Sequence, residues 1–101
     1  MPLSRDQRRF LRGLGHALEP VIRVGQKGVT PPLLAETRRA LAAHELIKAK
    51  LGTNAPDQTK EAAEKLAGGT GAEIVQVIGG IVLLFKAAED PDDRRIVLPR
   101  I

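Results

Sequence analysis

Cysteine, tryptophan and tyrosine are absent from this sequence, and serine occurs once, at Ser4. Without cysteine there can be no disulfide, no thiolate zinc site and no cysteine nucleophile, a composition that fits a reducing compartment. Phe10 and Phe85 are the only aromatics. That argues against a platform of rings for stacking splayed bases, and it leaves the core to Leu, Ile, Val and Ala. No apolar run reaches the roughly 18 residues of a membrane-spanning helix, and the opening MPLSRDQRRFLRGLG is too charged for a secretory signal. A cytoplasmic protein with no membrane partner is expected.

Chemistry-bearing clusters are equally scarce. The two histidines, His16 and His44, have no carboxylate and nucleophile at a spacing that catalysis uses. Histidine and carboxylates do not gather as metal ligands do. Asp90, Asp92 and Asp93 read as a solvated turn, and Ser4 as a helix cap. The expectation is no enzyme, no cofactor, no metal and no small-molecule substrate.

What is present is a chain of 101 residues, 43% hydrophobic, enough for one compact domain with a real core. Its formal charge of +4 is unevenly spread. Residues 1–50 carry ten Lys/Arg against four acids, and residues 51–101 carry six against eight. A basic N-terminal half points to a polyanion-facing surface there, the alternative being an accidental asymmetry of a solubilising coat.

The segment LSRDQRRFLRGLGHAL reads as an amphipathic helix opened by a Ser4–Gln7 capping box. Phe10, Leu11, Leu14 and Leu18 gather on one side, and Arg5, Arg8, Arg9, Arg12 and His16 on nearly the opposite one. Pro20 closes it and PVIRVG follows as a strand. Thr30 caps a second helix that starts at Pro31. ELIKAKLG alternates as a strand, with Ile47, Ala49 and Leu51 inward and Lys48 and Lys50 outward. DQTKEAAEKLAGG reads as a third helix, capped by Asp57 and stopped by Gly68-Gly69. AEIVQVI and IVLLFK form a hairpin around Gly79-Gly80.

The order α-β-α-β-α-β-β describes an α/β domain with a four-stranded mixed sheet and helices packed on it. Both strand–helix–strand units are expected to pair in parallel. The last two strands, the most apolar, are expected to be covered on both faces. Arg23, Lys48 and Lys50 suit a face left partly open.

The stretch RVGQKGVTPP contains Gly25, Gln26, Lys27 and Gly28 between a strand and a helix start. Glycines without Cβ let a phosphodiester backbone pass close to the peptide, free N–H groups at a helix start favour phosphate, and Lys27 adds charge at the tip. A Gly-x-x-Gly loop holds backbone nucleotides in KH domains. Alone, the pattern is as well explained by an irregular turn, and its spacing excludes a Walker-type loop. Together with the arginine helix and the lysine strand it is expected to form one contiguous surface of Arg5, Arg8, Arg9, Arg12, Arg23, Lys27, Lys48 and Lys50. Such a surface suits recognition of structured RNA by shape and phosphate.

The pieces LRGLGHALEPVIRVGQKGVT, ALAAHELIKAKL and AEKLAGGTGAEIVQVIGGIVLLFK resemble the CRM domain (chloroplast RNA splicing and ribosome maturation) in its bacterial stand-alone, YhbY-like form. The likeness runs from about Leu3 to Phe85 in one register. It divides the chain into an RNA-binding domain over residues 1–86 and a charged tail over 87–101. It implies a fold similar to the C-terminal domain of translation initiation factor three, and binding to ribosomal RNA of the precursor large subunit during its assembly. The family's loop falls on Gly25, Gln26, Lys27 and Gly28; members often carry lysine after the first glycine, where this chain has Gln26. Arg8, Arg9, Arg12, Lys48 and Lys50 match its basic features. A monomer is expected. The rival reading is a protein–protein adaptor docking acidic assembly factors or ribosomal proteins.

Overall fold

The computed structural model describes residues 2–99. Helix α1 (Arg5–Gly15) opens with both halves of the capping box: Gln7 N–H donates to Ser4 Oγ at 3.1 Å, and Ser4 N–H to Gln7 Oε1 at 3.0 Å. It stops at Gly15, with His16 as its C-cap, one turn earlier than its apolar pattern suggests. The chain then forms β1 (Pro20–Val24), α2 (Pro31–His44), β2 (Leu46–Leu51), α3 (Thr59–Thr70), β3 (Glu73–Ile78) and β4 (Ile81–Phe85), followed by a 3-10 turn at Pro91–Asp93. Thr30 caps α2, its Oγ1 accepting from the Leu33 N–H.

The expected mixed sheet is present, but its order, β1-β2-β4-β3, corrects the pairing. Strands β1 and β2 are parallel neighbours. The second crossover skips a place, because β4 fills the slot between β2 and β3 and is antiparallel to both. The Gly79-Gly80 turn, with Gly79 at φ 57°, folds the hairpin that makes this insertion possible. Of the two strands expected to be covered, only β4 is: Val82 to Phe85 are all buried, whereas β3 lies at the edge with Ile78 62% exposed.

Alternation divides the sheet side chains between two cores. Ile22, Val24, Ile47, Ala49, Val82 and Leu84 face α2 and α3, meeting Leu41, Ala63 and Leu66. Leu46, Val75, Leu83 and Phe85 face the other way and meet Leu11 of α1. Gly15 lets that helix settle onto β4, since a Cβ there would stand 2.6 Å from Leu83 Cδ1.

Helix α3 also differs from expectation. Its N-cap is Gln58, without a side-chain bond. Asp57 is engaged instead with Lys65, Nζ to Oδ2 at 2.8 Å; that hydrogen bond holds the lysine above its ordinary pKa. Gly68 and Gly69 lie inside the helix, which ends on Gly71 in the left-handed region at φ 79°. Gly69 is a packing residue, because a Cβ there would stand 2.7 Å from Leu34 Cδ2 of α2.

The segment after β4 folds back beside α1. Ala87, Ile96 and Leu98 pack on the Leu11 core, and the Gln7 side-chain amide donates to Pro99 O at 3.0 Å. Its anchor is Glu45, between α2 and β2, 2% exposed and at φ 62°. The carboxylate accepts from the N–H groups of Ala88 at 2.8 Å, Arg95 at 2.6 Å and Ile96 at 3.0 Å. Burial pushes this carboxyl's pKa up, but the three N–H donors and the charge of Arg94 outweigh it, leaving the group below its ordinary value.

Candidate nucleic-acid interface

On the α1 side of the sheet, alternation turns Arg23 of β1 and Lys48 and Lys50 of β2 away from the core of α2 and α3. Arg23 and Lys50 are direct partners in the parallel register, both exposed. Lys48, half-buried, is paired across β4 with Leu83. Gly15 seats the last turn of α1 on Leu83 with Leu14 turned toward Lys48, so exposed Arg12 and His16 lie on the other flank of the helix, the one that carries Arg8. The structure thus gathers Arg23, Lys48 and Lys50 on one face of the sheet.

It sets the start of α1 apart from them. One guanidinium nitrogen of Arg8 donates to the Ile74 carbonyl, where β3 bulges between Ile74 and Gln76. Arg8 therefore ties α1 to the edge strand. Exposed Arg5 and Arg9 share the first two turns of α1 with it. The Gly-x-x-Gly loop follows the end of β1 at the opposite edge of the sheet.

In that loop Gly28 N–H donates to Gly25 O at 3.0 Å, closing a tight turn with Gln26 and Lys27 exposed at its tip. The two glycines are there for different reasons. Gly28 adopts φ 71°, and a Cβ on it would lie 3.1 Å from Pro56 Cγ, so the turn requires it. Gly25 has no positive φ, and a Cβ there would meet nothing within 4 Å. Nothing in the fold calls for glycine at 25. The loop is braced from behind by the Gly52–Asp57 segment, where Gly52 N–H donates to Val24 O at 2.9 Å.

The sequence pattern did not reveal an aliphatic groove of about 420 Å³ beside Lys48. Leu14, Leu18 and Val21 line it at 42%, 36% and 45% exposure, with Leu46 and Ile96 behind them. Its polar rim comprises Lys48, His44 and Glu19. The expected apolar face of α1 is thus covered fully only at Leu11; Phe10, Leu14 and Leu18 are all at least partly open to solvent. The early stop at Gly15 accounts for Leu18, which has left the helix before it can pack as part of its stripe; Phe10 and Leu14 are exposed from within the helix.

Among the described residues no group of His, Asp or Glu is placed to hold a metal ion, and no helix is long and apolar enough to cross a membrane.

Residues 3–86 match the CRS1/YhbY (CRM) domain. The chain is 36% identical to the Bacillus subtilis protein YqeI, named as a probable RNA-binding protein, over 96% of this chain and 99% of that one. It is 41% identical to a Haemophilus influenzae protein named as an RNA-binding protein, over 97% and 96% of the two chains. The fold is similar to the solution structure of a Staphylococcus aureus protein described as a candidate RNA-binding protein. The TM-score is 0.77 at 32% identity, covering 96% of this chain and 99% of the other.

Proposed function

The chain belongs to the CRS1/YhbY (CRM) domain family, and on that premise we propose that it is a non-enzymatic protein that binds structured RNA by its phosphates. Gly25 carries this reading. The fold does not need glycine there, yet its absent side chain clears the approach to a loop tip bearing Lys27, next to the exposed pair Arg23 and Lys50. Open backbone beside cations suits close passage of a phosphodiester. The exposed Arg5, Arg9, Arg12 and His16 of α1 supply a second basic patch on the helix. Arg8 holds α1 in place and acts on RNA through that placement.

The RNA we propose is ribosomal RNA of the large subunit in assembly, which rests on the likeness to YhbY-like proteins rather than on geometry. The experiment is a mobility-shift titration of a large-subunit ribosomal RNA fragment at moderate salt, with wild type and the double variant Lys27→Glu, Arg9→Glu. Affinity should fall by more than about tenfold, while the melting temperature stays nearly unchanged because both side chains are exposed. Undiminished binding by the variant would overturn the proposed surface. In cell extracts the wild type should sediment with large-subunit precursors, and the variant should not.

A further inference from the structure

An aliphatic groove open to solvent next to a row of cations is an unusual neighbour for a surface that binds only phosphates. Leu14, Leu18 and Val21 are each at least one-third exposed and converge on one depression. Its volume, about 420 Å³, falls in the roughly 300–1,000 Å³ range of clefts that enclose small organic groups. Lys48 belongs to both features: it lines the groove, and it stands one residue beyond Ala49 from Lys50, the partner of Arg23. A phosphate held by Lys48, Lys50 and Arg23 therefore delivers its own nucleoside to the groove mouth.

We infer that this groove receives a single unpaired nucleobase of the bound RNA, resting on Leu14, Leu18 and Val21 while its phosphate is held by Lys48 and its neighbours. The inference rests on the RNA-binding reading above and adds a preference for RNA with an extruded base. A base offers a flat apolar face that aliphatic side chains can cover, and its polar edge can reach Lys48 or His44 at the rim. Charge complementarity favours this occupant over an apolar peptide: Lys48 at the rim, with Lys50 and Arg23 beyond it, outweighs the lone Glu19. An aromatic platform is not required, because burial between aliphatic walls supplies the contact that stacking would otherwise give. Base-paired nucleotides are excluded, since their faces are already covered in the helix.

The test uses the full chain and three RNA hairpins of one sequence. One is fully paired, one carries a single unpaired adenosine, and one carries an abasic residue at that place. The adenosine hairpin should bind about tenfold tighter than the abasic one, and the abasic one about as well as the paired one. The variant Leu18→Ser, Val21→Ser, altered at two half-open positions, should bind all three alike, at the affinity wild type shows for the paired hairpin. Equal wild-type affinity for the three RNAs would overturn the base site while leaving phosphate recognition intact. A preference that persists in the folded variant would also overturn it, by placing the base elsewhere. If no hairpin and no ribosomal RNA fragment binds in a salt-sensitive way, the RNA reading itself fails. Should the variant not fold, the comparison of the adenosine and abasic hairpins on wild type still decides.

Discussion

Gly25 and Gly28 are both glycine in a four-residue loop, yet substitution should separate them. Gly28→Ala forces a Cβ into the left-handed region at φ 71° and against Pro56. The backbone cost of about 1–2 kcal/mol should lower the melting temperature by several degrees. Gly25→Ala meets open space and should leave melting unchanged, while RNA affinity drops severalfold if a phosphodiester passes over it. Paired thermal scans and mobility shifts check both, and a Gly25→Ala protein with full affinity would reduce the loop to a turn. Single-residue readings that depend on neighbours in sequence hold: Ser4 with Gln7 and Thr30 with Leu33 are local bonds whose partners lie three residues apart. Readings that depend on distant partners do not. Asp57 looks like a cap until Lys65 claims it, and Gly69 like a stop until Leu34 needs its space.

Among elements, the segment after β4 depends most on one interaction. Its N–H groups at Ala88, Arg95 and Ile96 converge on the buried Glu45 carboxylate, so Glu45→Gln leaves at least one of them facing a non-accepting NH₂. The expected cost at neutral pH is about 1–3 kcal/mol. The group's folded pKa lies below its ordinary value. Its stabilisation is therefore complete above the usual glutamate range, near about 4.3, and is lost as pH falls through the depressed folded value. The gap in melting temperature between wild type and Glu45→Gln should be widest at pH 7 and should narrow as pH is lowered toward about 3; a gap independent of pH would contradict the anchor. Nothing around Glu45 in the chain announces this role, because its three donors lie more than forty residues away. Helix α1 shows the same limit from the other side. Its arginine and leucine stripes follow from a 3.6-residue period, but how much of the leucine stripe is covered depends on where the helix stops and on what the tail places over it.

For the molecule as a whole, the separation of α1's first turn from the glycine loop implies an RNA footprint spread across the sheet rather than focused at one point. Four to six phosphates neutralised across that span give a log–log salt slope between about −3 and −5, and Lys27→Glu should make it shallower by about one. Binding measured at several salt concentrations checks this, and a slope near zero would exclude a phosphate-gripping surface. The α/β class, the element order and the basic half were legible in the sequence, since each follows from local period and charge; strand order was not, because hairpin and crossover strands look alike until their partners are present. That order has a consequence for how the protein comes to exist. The strand synthesised last among the four sits second from one edge, between β2 and β3, and carries Leu83, on which α1 rests. Until residue 85 has left the ribosome, β2 has an open edge and α1 lacks its seat on β4. The arginine helix and the lysine strand are made early, yet they can acquire their mutual placement only when nearly the whole chain has emerged, so the nascent protein cannot present its assembled RNA surface while most of it is still being made.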